Sequence, residues 1–311
     1  MGITLADRAR RVVRWPVVGL ALTALLTLLV VLPVQLGASA AGLRPSLLGD
    51  ELTLALAAIA ATLIVTLPVQ GWGLAEAGFG RQRALRDLWL GFLAGAALLS
   101  VSVGILALSG GYRVVGVAAT PQEWRGIGYG LLLMAVVGLA EETLFRGIIF
   151  RYIEAALGSW AALALTSALF GVAHLSNPAA TVAGAAAIAI EAGIMLGAAY
   201  MLTRSLWLAI GIHWSWNFFQ GSVFGINVSG SNLPLASILT PTIGGPEILS
   251  GGAFGIEASM IAVVVCVIFG IWLLLRARRA GQVFTPLWAL RLLGRAPRAA
   301  PSLAAPHDSE P

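Results

Sequence analysis

Glu141 and Glu142 stand side by side, with Arg146 one helical turn beyond them, inside an apolar stretch that starts near Ile127. Charges at such depth in hydrocarbon are expensive, usually face an interior, and mark a functional site by default. Helical spacing puts Glu142 and Arg146 on one face, where they can pair, and turns Glu141 roughly 100° away. Two of the three histidines also fall in apolar stretches: His174, four residues after Phe170, and His213, four residues before Asn217. The second spacing sets an imidazole and an amide on one face, able to donate hydrogen bonds to a common point. A carboxylate and an imidazole can hold and deprotonate a water, while a second imidazole and an amide can stabilise an oxyanion. That set is what peptide-bond hydrolysis by directly attacking water requires. No serine or cysteine is placed to act as a covalent nucleophile. Glu141, His174 and His213 also have the donor types that suit Zn²⁺, but they come from three segments without a compact ligand motif. No cofactor is favoured, and Zn²⁺ remains the one possible metal.

These groups need elements to hold them, and composition says which. The chain is 59% hydrophobic and only 11% charged, with a mean hydropathy of +0.90. A soluble domain averages about 25% charged residues, so this one lacks the polar surface to face water. Repeated apolar runs of about 20 residues predict an all-α, polytopic transmembrane bundle of about eight spans. They are expected near 17–36, 52–70, 88–109, 126–150, 160–174, 180–201, 206–219 and 258–275. A cleavage-like Ala38-Ser39-Ala40 follows the first, which is read as a retained anchor rather than a signal peptide. Residues 1–15 form a basic N-terminus, 16–275 the membrane domain, and 276–311 a basic tail whose last residues are too Ala/Pro-rich to fold. A short apolar patch at 284–293 could lie on the membrane surface. The Gly/Ser/Pro-rich stretch 221–255 reads as a long loop.

All 19 basic residues are arginines, and the net charge is +5. They gather at segment ends rather than in a nucleic-acid-binding patch. Arg8 to Arg14, Arg81 to Arg86, Arg151, Arg204 and the arginines of 276–298 fall on one face, against Arg44, Arg113 and Arg125 on the other. The positive-inside rule then puts both termini in the cytoplasm. Trp15, Trp72, Trp124, Trp160 and Trp207 lie near expected boundaries, as an aromatic belt would. Cys266 sits in an apolar run as a small core residue. At about 1.5 Å per residue from the arginine-flanked ends, Glu141 comes to roughly 15 Å, His174 to roughly 20 Å, His213 to roughly 12 Å and Asn217 to roughly 18 Å. Three spans thus bring four polar side chains to one layer.

Glu-Glu-x-x-x-Arg, Phe-x-x-x-His and His-x-x-x-Asn, in that order on successive membrane helices, resemble the CAAX protease and bacteriocin-processing (CPBP) family, which includes the type II CAAX prenyl endopeptidases. The resemblance covers about 126–224, the CPBP core of the membrane domain. It extends to Leu144-Phe145-Arg146-Gly147 and Thr203-Arg204-Ser205-Leu206-Trp207. It implies an intramembrane endopeptidase in which Glu141 is the general base, working with His174 on the attacking water. His213 and Asn217 would form the oxyanion site, with Glu142 and Arg146 in support. It also implies a glutamate-type mechanism in place of the metal dependence once ascribed to the family.

Each residue also has a plainer reading. Glu142 and Arg146 can be an internal pair that only joins helices, His174 a capped helix end, and His213 with Asn217 interhelical hydrogen-bond glue. Phe170, Trp214 and Trp216 read as packing, and Glu191 matches no motif. A non-catalytic scaffold, chaperone-like or bacteriocin-immunity protein is the alternative function, and a proton-coupled transporter a third. Expected partners are membrane lipid and a peptide or membrane-protein substrate, with no nucleic acid. Arginine in place of lysine and the alanine-rich composition suggest a bacterial inner membrane.

Overall fold

The computed structural model describes residues 16–42, 46–65 and 73–286. The arginines of 1–15, Arg44, Trp15, Trp72 and the tail beyond 286, with most of its apolar patch, lie outside the described residues. The fold is an all-α polytopic bundle with one small sheet. Helix α1 (Pro16–Ala40) is followed by α2 (Leu47–Val65), a π turn (Ala75–Phe79) and α3 (Ala84–Leu108). Strand β1 (Tyr112–Val117) leads to α4 (Pro121–Glu142), which runs through a π-helical stretch (Thr143–Phe150) into α5 (Arg151–Leu157). Then come α6 (Ser159–Ala173), a 3-10 turn (His174–Ser176), α7 (Val182–Ile188), a π turn (Ala189–Gly193) and α8 (Ile194–Thr203). Helix α9 (Trp207–Phe218) ends in a π turn (Phe219–Val223). Beyond it lie β2 (Leu239–Ile243), α10 (Glu247–Ser250), a 3-10 turn (Ile256–Ala258) and α11 (Met260–Arg279).

Six helices among the described residues are long and apolar enough to cross a membrane: Pro16–Ala40, Leu47–Val65, Ala84–Leu108, Ser159–Ser176, Val182–Thr203 and Met260–Arg279. Their outward faces carry large apolar side chains, such as Leu93, Leu108, Val172 and Ile268, on the scale only lipid tolerates. The protein is therefore an integral membrane protein. The fourth and seventh expected spans are not among the six. The fourth holds Glu141, Glu142 and Arg146, and the seventh is a 12-residue helix extended only by its π turn. These are the two segments richest in candidate site residues, and chemistry is what dilutes their apolarity.

The fourth segment also outlasts its expected end. It continues to Leu157, six residues beyond Arg151, which is buried with its guanidinium 5.2 Å from the Tyr152 ring centroid. The far end of this segment is fixed by chemistry legible in the sequence. Thr120 accepts a hydrogen bond from the Glu123 amide, Glu123 accepts one from the Thr120 amide, and Pro121 takes the first helical position.

Helix α9 sits inside the bundle against α3 and α4. A Cβ on Gly211 would collide with the Leu88 carbonyl, and one on Gly91 with the Leu208 carbonyl, so α3 and α9 touch backbone to backbone. On the other side, Gly138 lets α4 come close to α9, its Cβ position lying 3.3 Å from the Trp214 nitrogen. The Trp214 indole then donates to the Leu131 carbonyl at 2.9 Å, which makes it a tie between helices rather than a groove wall. The main core joins Leu99 and Leu106 of α3 with Leu196, Ile212, Trp216 and Cys266.

The 221–255 stretch is more ordered than a loop. β2 pairs antiparallel with β1, Tyr112 opposite Ile243 and Val117 opposite Leu239. The Tyr112 hydroxyl also donates to the Phe224 carbonyl at 2.8 Å. The segment after α9 is thereby pinned to the end of α3.

Candidate active site

Helix α4 delivers Glu141 and Glu142 in its last turn, and the backbone widens into a π-helix at the next residue. Such widened turns are rare and gather at functional sites. Arg146, one turn on, donates from Nη1 to Glu142 Oε1 at 2.7 Å, and both side chains are fully buried. Its Nη2 reaches the Gly193 carbonyl at 3.3 Å, in the π turn between α7 and α8. The guanidinium also lies over the Phe170 ring, 4.7 Å from the centroid. Phe170 is accordingly not only filler. It backs the arginine and packs against both imidazoles, its centroid 4.8 Å from that of His174 and 5.9 Å from that of His213.

His213, 6% exposed, enters from α9. Its Nδ1 donates to Glu142 Oε1 at 3.0 Å, so one carboxylate oxygen serves both Arg146 and His213. The other ring nitrogen, Nε2, lies 3.8 Å from Glu141 Oε2. That oxygen is cut off from solvent and has no hydrogen-bond partner, although Glu141 as a residue is 24% exposed. His174 closes α6 on a single 3-10 turn, not within the regular helix. Its Nδ1 donates to the Phe170 carbonyl at 2.7 Å, which leaves Nε2 available toward the cavity.

Glu141, His174 and Asn217 line one cavity of about 270 Å³, together with Glu51 of α2 and Asn177, Ser229 and Ser231 of the loops. A smaller adjoining cavity is lined by His174, His213, Asn217 and Glu257. The structure thus gathers Glu141, His174, His213 and Asn217 around two cavities that share the walls formed by His174 and Asn217, with Glu142 and Arg146 behind His213. It brings Glu141 within 3.8 Å of His213, while Glu141 and His174 share only a cavity wall. Space lined by several polar groups and closed by apolar ones can hold water.

Sequence reasoning missed three groups. Glu51 follows Asp50 just before the second expected span and belongs to no motif. Ser229 lies in the stretch read as loop and Glu257 between that stretch and the last expected span, yet Glu257 accepts from the Ser229 amide at 2.6 Å, the Ser229 hydroxyl at 3.0 Å and Gln220 Nε2 at 3.0 Å. The Ser229 carbonyl in turn accepts from Asn177 at 2.7 Å, so Glu257 braces the cavity wall. Burial pushes the Glu257 carboxyl above its ordinary range, against the pull of its hydrogen bonds from Gln220 and Ser229. Glu191, which matched no motif, is buried in its π turn beside the Cys266 thiol.

A zinc site needs three protein ligands converging with an open position. Among the described residues no group of three or more His, Cys, Asp or Glu side chains comes together in that way. His213 Nδ1 is already committed to Glu142. Glu141, His174 and His213 do not form such a ligand set.

Residues 123–219 match the family model described as Type II CAAX prenyl endopeptidase Rce1-like. No curated protein and no solved structure gives a significant match to the chain. The matched segment begins at the cap of α4 and ends just past Asn217, so it contains all six candidate residues.

Proposed function

We propose that this chain, which belongs to the CAAX protease family through residues 123–219, hydrolyses a peptide bond inside the membrane with a water activated by Glu141. The observation that carries the reading is Glu141 itself, 24% exposed and lining a polar cavity with His174 and Asn217, while its buried Oε2 has no hydrogen-bond partner among the described residues. A water between Glu141 and the free His174 nitrogen gives its proton to the carboxylate as its oxygen bonds to the substrate carbonyl carbon. The carbonyl oxygen takes up negative charge and is met by the Asn217 amide and by His213 Nε2–H. For Nε2 to donate while Nδ1 donates to Glu142, the ring carries both protons, and the Glu142 carboxylate at 3.0 Å is its counter-charge. The C–N bond then breaks as Glu141 returns its proton to the leaving amine.

In this reading the substrate is a peptide or a membrane-protein segment, the enzyme sits in a bacterial inner membrane, and both termini are cytoplasmic. Comparative peptidomics of membranes carrying wild-type or Glu141→Gln protein tests it. The variant, and likewise His174→Ala, is expected to lose cleavage by at least about a hundredfold, the usual worth of a positioned acid–base group, while still inserting and folding. Cleavage is expected to persist in a strong chelator. Peptide profiles that do not differ, with biological activity surviving Glu141→Gln, would instead describe a scaffold.

A further inference from the structure

We propose that Glu51 determines specificity, selecting peptides that carry a basic side chain beside the bond to be cut; the link to cleavage, though not to binding, rests on the hydrolytic reading above. Glu51 stands in the second turn of α2 and lines the same cavity of about 270 Å³ as Glu141, His174 and Asn217. Its Oε2 is shut off from solvent with no hydrogen-bond partner. Glu51 and Glu141 line this cavity together, and among the described residues no arginine lines it. Asn217, only 5% exposed, likewise has no hydrogen bond to the described residues and reaches this space.

Two partly buried carboxylates facing one cavity repel each other, and their partial burial adds to that cost. A lysine ammonium or arginine guanidinium brought in by substrate supplies positive charge and hydrogen-bond donors to the Glu51 carboxylate from the cavity side. A glutamate at that position, or a free C-terminal carboxylate, meets two like charges instead. The cavity therefore repels one class of peptide as well as attracting another, which is how specificity is commonly built.

The test uses the full chain in nanodiscs and terminally blocked leucine–alanine peptides of one length, carrying a single lysine, norleucine or glutamate at successive positions. Binding is read by fluorescence anisotropy and cleavage by loss of internal quenching. At one position the lysine peptide is expected to bind about tenfold more tightly than the glutamate peptide, a ratio of ordinary size for one charge contact. Glu51→Gln is expected to collapse that ratio toward one, Glu51→Asp to keep its sign, and Glu51→Lys to invert it. A merely structural role for Glu51 would move all peptides together. Equal binding of the three peptides by the wild type, or a ratio unchanged in Glu51→Lys, overturns the proposal. Charge-selective binding without cleavage keeps Glu51 as the selector and defeats the hydrolytic reading. Cleavage without charge selection does the reverse.

Discussion

Glu142 Oε1 accepts from Arg146 and from His213 at once, and that shared oxygen separates two roles that spacing alone would merge. As a structural pair, Glu142 and Arg146 are buried charges, and removing one partner typically costs about 3–5 kcal/mol because the other is left uncompensated. As an orienter, Glu142 fixes which His213 nitrogen faces the reaction. Glu142→Gln is therefore expected to lower stability by about 3 kcal/mol and to cut cleavage. The double variant Glu142→Leu/Arg146→Met should regain most of the stability, since an apolar pair can replace a buried ion pair, but little of the cleavage. Thermal unfolding in detergent read beside turnover separates the two, and restored turnover in the double variant would leave Glu142 only a structural job. The Glu142–Arg146 pairing could be read from spacing, because a four-residue step is a property of one helix. The His213–Glu142 bond could not, because it depends on which two helices abut.

At the scale of elements, the site rests on departures from the regular α-helix. A π-helical stretch follows Glu142 directly, a π turn begins two residues after Asn217, and another supplies a carbonyl to Arg146. A π turn has no distinct composition, so nothing in the residues announces these, nor that 112–117 pairs with a strand more than a hundred residues away. The close approach of α3 and α9 leaves a clearer mark in Gly91 and Gly211. Gly211→Ala must push α9 off the Leu88 carbonyl. Overpacking of this kind costs about 1–3 kcal/mol. Because α9 carries His213 and Asn217, a shift near 1 Å is expected to lower turnover by about a hundredfold. Gly104→Ala, where a Cβ meets nothing within 4 Å, is the matched control and should be neutral or mildly stabilising. Equal loss of turnover in both variants would remove the close contact as the cause.

Across the whole molecule, composition alone dictated a membrane bundle, and six helices meet the length and hydropathy of a span. The two expected spans outside that set, α4 and α9, owe their lower apolarity or short length to the polar residues and π turns of the site. If all eight cross, the number is even and the arginine-rich ends share one side. Tags at the N- and C-termini are then expected to be protected from outside in intact spheroplasts, with a tag placed in residues 110–120 accessible. Termini labelled on opposite sides would remove one crossing. Motion within the bundle follows from the joint between α3 and α9. Two rods whose main chains are in contact leave no side chain between them to repack, so they tilt together or stay still. Any breathing that admits a bulky guest must fall elsewhere, and the oxyanion-side residues keep their aim while the opposite wall moves.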